Sequence, residues 1–326
     1  MSKPQVRAMI PWRRLTGGLF ILAGILYVLF GWPDGQTSIR YEVPREVTAP
    51  PQWAKDLAPH LAAVSVREFN IRRDSEQTLR ISAVQYRDAE GKERSALFLP
   101  PSGASSENSL RLDLWRETGA AIRQNAQPDA LFLTWWDNAQ RARFLAGVNT
   151  WVDAPEDAAF PDQDARNFWQ KAAGGFMSGE RNRQLAKWLA MNAENALEEM
   201  KKDLPKDQPV YLLVSLDDLA RLNEIETLAG TTLPFEVRVF PSSGNIHTQI
   251  AAVRRWASDK GTGSYLVQQL PTGDVRAWRI TSEAGTQTLL ARLLPFTSSL
   301  MKPMESLKLI YQSRWGAYLS LYQWRP

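Results

Sequence analysis

The stretch "DALFLTWWDNAQRARFLAGVNTW" runs from Asp129 to Trp151. Its first half is an unbroken apolar run of strand length, and such runs suit strands covered on both faces. "AQRARFLA" then reads as a short helix that stops at Gly147. Strands that alternate with helices build α/β sheets, whose ligands bind beyond the carboxyl ends of the strands. Trp135, Trp136, Asp137, Asn138 and Arg141 would stand at such an end, which makes them the candidate ligand- or partner-binding residues. Asp137 would supply a carboxylate and one indole a stacking surface. The competing structural role is helix capping by Asp137 or Asn138, whose side chains can accept from free backbone N–H groups. Strand alternation sends the two indoles to opposite faces, so only one is expected to reach a pocket.

The same alternation continues outward. "TLRISAVQYRD" has the period of a half-buried strand, "SALFLPP" is a second short strand, and Leu110 to Gln124 has helical spacing. "RNRQLAKWLAMNAENALEEMKKDLP" predicts one helix, with Leu185, Leu189, Ala193, Leu197 and Met200 on one face. "PVYLLVS", "LDDLARLNEIETLAG", "PFEVRVF" and "SGNIHTQIAAVRRWA" follow as strand, helix, strand and helix. "GSYLVQQL" and "DVRAWRI" flank a hairpin turn at Pro271-Thr272-Gly273. The expected fold is α/β, a mostly parallel or mixed sheet flanked by helices, with an antiparallel addition near the C-terminal side.

Of the 39 Lys and Arg residues, Lys3, Arg7, Arg13 and Arg14 precede the first acid, Asp34, leaving 35 cations against 35 anions. That balance gives no reason to expect a nucleic-acid partner. The four cations lead into uncharged "LTGGLFILAGILYVLFGW", Leu15 to Trp32. As a helix it would reach roughly 27 Å, about the thickness of a hydrocarbon core. Trp12, Tyr27 and Trp32 suit the interfaces, and Trp32-Pro33-Asp34 offers no cleavage site. The expected order is a cytoplasmic tail (1–14), one transmembrane anchor (15–32), a proline-rich stalk (33–60) and a periplasmic α/β domain (61–326), placing the chain in a bacterial inner membrane. With no Cys and only His60 and His247, the chain is poorly supplied with metal or haem ligands, and no cofactor is expected.

The remaining motifs are weaker. Ser242 to Asn245 lie between a strand and a helix, where capping by Ser243 or Asn245 competes with anion binding. Asp153, Glu156, Asp157, Asp162 and Asp164 share one loop without the spacing of a calcium site. At the C-terminus, Met304, Leu307, Tyr311, Trp315, Tyr318 and Tyr322 recur at steps of three and four, which predicts a terminal helix. Tyr311, Trp315, Tyr318 and Tyr322 are the candidate interface residues, since such aromatics anchor protein contacts.

Trp135-Trp136-Asp137 resembles the Trp-Trp-Asp motif of oligosaccharyltransferases, which helps recognise an acceptor peptide. That likeness covers three residues, and those enzymes have many membrane spans where one is expected here. A broader likeness joins the N-terminal anchor, the cysteine-free exported domain and "LFLTWWDNAQRARFLAG". Together they resemble the HaoB family, encoded beside hydroxylamine oxidoreductase in nitrifying and methane-oxidising bacteria. The resemblance implies an accessory role near a periplasmic multihaem hydroxylamine oxidoreductase, and it carries no catalytic residue over to this sequence. The alternative is a periplasmic enzyme or binding domain that takes a peptide, glycan or small polar ligand at the Trp-Trp-Asp strand end.

Overall fold

The computed structural model describes residues 39–325 except 43, 62–63, 74–76 and 102–105, so the basic tail and expected anchor lie outside the described residues. Among the described residues no helix is long and apolar enough to cross a membrane.

Among the described residues three sheets replace the single sheet expected. The first is antiparallel and is made of β1 (Ile39–Tyr41), β2 (Arg45–Val47), β3 (Val64–Arg73), β4 (Gln77–Arg87) and β5 (Glu93–Phe98). β1 and β2, with the short helix α1 (Gln52–Leu57), come from the stretch expected to be a stalk. β1 and β2 therefore belong to the folded body, because pairing with β3 satisfies their backbone groups. β4 is covered on both faces, with Ser82 and Val84 buried as well as Ile81 and Ala83. Phe69, on the Ile81 face, meets Phe168 of α4 (Gln163–Ala172). Tyr86 and Phe98, on the other, meet Phe144 of α3 (Trp136–Ala146).

The central sheet has the order β12-β13-β8-β6-β7. β6 (Leu131–Leu133) runs parallel to β7 (Asn149–Thr150) and β8 (Val210–Ser215), and every residue of β6 and β8 is buried. Only these pairs are parallel among the described strands; β13 (Leu319–Trp324) is antiparallel to both β8 and β12 (Leu307–Gln312). A terminal β-hairpin thus stands where a helix was predicted. Leu307, Leu309 and Tyr311 alternate along one strand and Leu319 and Leu321 along the other, and the polypeptide reverses through Trp315, Gly316 and Ala317, all at positive φ. α2 (Ser106–Asn125) packs on this hairpin and on α3, so closely that a Cβ at Gly119 would stand 2.8 Å from the Leu145 Cβ.

The predicted helix over 181–205 is two helices, α5 (Arg181–Ala190) and α6 (Ala193–Asp203). Asn192 breaks it by accepting from the Glu194 and Asn195 N–H groups, so a cap wins over continued periodicity. A 3₁₀ turn (Leu216–Arg221) follows β8 and leads into α7 (Leu222–Ala229), which ends at left-handed Gly230. The third sheet, β10 (Tyr265–Gln269), β11 (Val275–Ile280) and β9 (Phe235–Phe240), is antiparallel and packs on α8 (Ile246–Ser258). The Pro271-Thr272-Gly273 hairpin lies between β10 and β11 as expected. Three short helices, α9 (Glu283–Thr286), α10 (Leu289–Leu293) and α11 (Thr297–Met301), lead back to the central sheet.

Candidate functional site at the Trp-Trp-Asp junction

The strand ends earlier than the sequence suggests. β6 closes at Leu133, Trp135 is the residue before α3, and Trp136, Asp137, Asn138 and Arg141 lie on the helix itself. The rule of opposite faces therefore does not apply, and both indoles are interior, each 1% exposed. Neither Asp137 nor Asn138 is the capping residue, although the Asn138 N–H donates to the Asp137 carboxylate at 3.0 Å. α3 ends at left-handed Gly147, as read from the sequence.

All five candidates are closed off from solvent and engaged inside the protein. Both indole N–H groups donate to one oxygen of Glu224, at 3.2 Å from Trp135 and 2.8 Å from Trp136. The other oxygen of Glu224 lies 2.7 Å from Arg221. Arg221 sits between Trp136 and Trp169, its guanidinium 4.9 and 4.8 Å from the two ring centres, and reaches Asp137 at 3.4 Å. Asp137, 2% exposed, also pairs with Arg141 at 3.3 Å. Arg141 donates to the Leu97 carbonyl and to the Asn138 side-chain oxygen, and stacks over Trp115. Asn138 in turn donates to Ser215 and Asp218.

Ser215 and Asp218 form a reciprocal cap where β8 becomes the 3₁₀ turn, each side chain accepting from the other's backbone N–H. Beside them a second cluster holds Arg111, which donates to Glu107, to Asp217 and to the Tyr318 hydroxyl. Tyr318 also donates to Asp217. Burial, reinforced by Asp137 and Asp217, pushes the Asp218 carboxyl well above the usual carboxylate range. Burial would raise Asp217 too, but Arg111, Arg141 and the Tyr318 hydroxyl together hold it below that range.

Those opposite shifts have opposite consequences for stability. Asp217 has the lowered pKa, so its contribution is complete above about pH 4 and is lost as pH falls through the depressed value. Asp218 has the raised one, so its contribution is complete below about pH 4 and declines as pH rises through the raised value. Asp217→Asn is therefore expected to flatten the loss of stability on the acid side of pH 4, followed by urea unfolding at a series of pH values. An unchanged acid limb would show that Asp217 is not held by Arg111.

The candidate interface residues fare differently from one another. Tyr318 is fully buried, whereas Tyr311, Trp315 and Tyr322 are half-buried. The Trp315 N–H donates to the Gln269 carbonyl and Tyr322 to that of Leu293, so both aromatics also hold the fold together. The loop acids are likewise engaged: Asp153 pairs with Arg94 and Arg143, Glu156 with Arg183, and Asp162 caps α4. Asn245 caps α8 by accepting from the His247 N–H. Among the described residues no three His, Cys, Asp or Glu side chains group as metal ligands.

Sequence reading did not find Arg111, Trp169, Ser215, Asp218, Arg221 or Glu224. Ser215-x-x-Asp218 carried a usable signal, the capping box after an apolar run. Nothing local marks Arg221 and Glu224 as partners of residues more than 80 positions earlier.

Comparison with known proteins adds a family. The model of the family described as HaoA-associated protein HaoB matches residues 4–324. Among solved structures, the chain is similar to the crystal structure of the C. jejuni pglb C-terminal domain, with a TM-score of 0.37 and 14% identity over 64% of this chain and 100% of that one. No curated protein matches.

Proposed function

Because the chain belongs to the HaoB family of HaoA-associated proteins, we propose that it is an accessory protein of hydroxylamine oxidation that docks on a multihaem hydroxylamine oxidoreductase. In this reading residues 15–32 anchor it in the bacterial inner membrane and the α/β body faces the periplasm. The family match supports the partner, and it begins at residue 4, so it takes in the expected anchor.

The observation that carries the accessory role is the closure of the Trp-Trp-Asp junction. Every polar group of Asp137, Asn138 and Arg141 that a ligand would use is turned to an internal partner, and the two indoles are buried against Glu224 and Arg221. A ligand there would have to displace buried ion pairs, a step that costs several kcal/mol, on the order of 3–5. The alternative of a peptide, glycan or polar-ligand site at this strand end is opposed by the room available, since the cavity beside Trp135 and Asp218 holds about 10 Å³, the space of a single water.

The test is capture of the tagged full-length chain from detergent-solubilised native membranes, followed by the Soret absorbance of the eluate. Haem protein co-eluting in near-stoichiometric amount is the expected result. Elution of the chain free of haem protein, across mild detergents and low salt, would contradict it.

A further inference from the structure

Residues 234–281 form an excursion from the body. β9 enters at Phe235 opposite Ile280, where β11 leaves, and the Thr281 N–H donates to the Pro234 carbonyl at 2.9 Å. The excursion has a small core of its own, Phe240, Val253, Val275 and Ala277. A seam joins it to the body through Phe235 on Phe296, Ser264 on Ser298, and the Trp315 N–H on the Gln269 carbonyl.

Inside that seam lies a buried cation with little to balance it, a long pair with Glu107 and the Trp278 ring face at 5.8 Å. Arg276 is 3% exposed, and its Nη1 donates to the Gln268 side-chain oxygen at 3.1 Å. Among the described residues its Nε and Nη2 have no hydrogen-bond acceptor, and neither do the Gln268 Nε2 and the Trp278 Nε1. The nearest carboxylate oxygen, on Glu107, is 3.8 Å from Nη2 and already accepts two N–H groups of Arg111, at 3.2 and 2.7 Å. Burial lowers the Arg276 pKa to about 10. Buried donors and buried cations are costly without an acceptor, and native proteins seldom leave several together.

The pattern of unused donors specifies the acceptor. Nε and Nη2 occupy one side of the guanidinium plane, the side that grips two oxygens of a planar anion. Gln268 Nε2 belongs to the amide that already steadies Nη1, and Trp278 is two residues along the same strand face. We infer that the seam between the β9–β11 sheet and the body binds a small planar oxyanion of carboxylate type, held in two-point contact by Arg276 with Gln268 as an additional donor. The internal competitor is Glu107, which would fill the same fork by turning away from Arg111.

The experiment titrates the full-length chain with sodium formate, and with sodium chloride at equal ionic strength, by calorimetry and thermal unfolding. Formate is expected to bind saturably and to raise Tm by about 5 °C at a hundredfold excess over Kd, with no such step in chloride. Arg276→Lys keeps the charge without the fork and should abolish the formate effect. Arg276→Met should abolish it as well while leaving the anion-free protein at least as stable as the parent. Gln268→Leu, which keeps the cation, should weaken formate about tenfold. Formate indistinguishable from chloride, full binding by Arg276→Lys, or a clear loss of stability in anion-free Arg276→Met would overturn the proposal, the last by making Glu107 the true partner.

Discussion

Glu224→Leu is expected to cost about 3–5 kcal/mol of stability, the usual penalty for removing one member of a buried, hydrogen-bonded ion pair. Glu224 is the point where the junction is tied together, accepting from Trp135, Trp136 and Arg221 at once. A leucine of similar size would leave the Arg221 cation between two indole rings with only Asp137, at 3.4 Å, to balance it, and would strand both indole N–H groups. Glu224→Gln should fall between the two, since one amide oxygen still accepts from the indoles while the amide nitrogen meets Arg221. Urea midpoints and the near-ultraviolet tryptophan signal would report both effects. A Glu224→Leu cost below about 1 kcal/mol would mean that the junction is not held by buried charge.

The second large effect is expected at Tyr318. Its ring lies under Arg111, 5.2 Å from the guanidinium, and against Trp315, and its hydroxyl joins Arg111 to Asp217. Truncation to alanine removes a fully buried aromatic and breaks that link, for a loss of about 3–5 kcal/mol. Tyr311→Ala, at a half-buried position on the edge strand, should cost about 1 kcal/mol. The pair separates two accounts of the C-terminal aromatics. If they formed a docking stripe, both substitutions would weaken partner capture at unchanged Tm. In the hairpin, Tyr318→Ala lowers Tm and acts on capture only through unfolding.

Where the sequence was informative, the signal was local and physical. β6 and β8 were readable because strands covered on both faces need apolar residues at every position. Gly147 and the Pro271-Thr272-Gly273 turn were readable because few residues suit those backbone conformations. The terminal hairpin is hidden in the sequence for an equally physical reason. Aromatics at 311, 315, 318 and 322 mimic a helical stripe, while the turn between the strands rests on Trp315 and Ala317 at φ of 63° and 56°. Few non-glycine residues take that region, so composition does not announce it. Trp315 is held there by its bond to Gln269, a contact 46 positions away.

The same limit applies to the junction. Its first half was legible as a strand running into a helix, and the five residues singled out do cluster. Their roles were not legible, because Arg221, Glu224, Ser215 and Asp218 reach them only once β8 lies beside β6. A tryptophan pair followed by an aspartate reads equally well as a recognition surface or as a buried clamp, and burial decides between them. Strand order was hidden in the same way, since cross-strand partners are chosen by the whole sheet.

Asp137 and its neighbours hold the body together, and the role proposed for the chain lies in association with a haem-bearing partner. Asp137→Asn separates the two, measured as Tm and as haem protein captured at a temperature where the variant remains folded. A stability loss of about 3 kcal/mol is expected from the weakened pairs with Arg141 and Arg221, together with capture equal to the parent's. Unchanged Tm with capture abolished would contradict it and would return Asp137 to a binding surface.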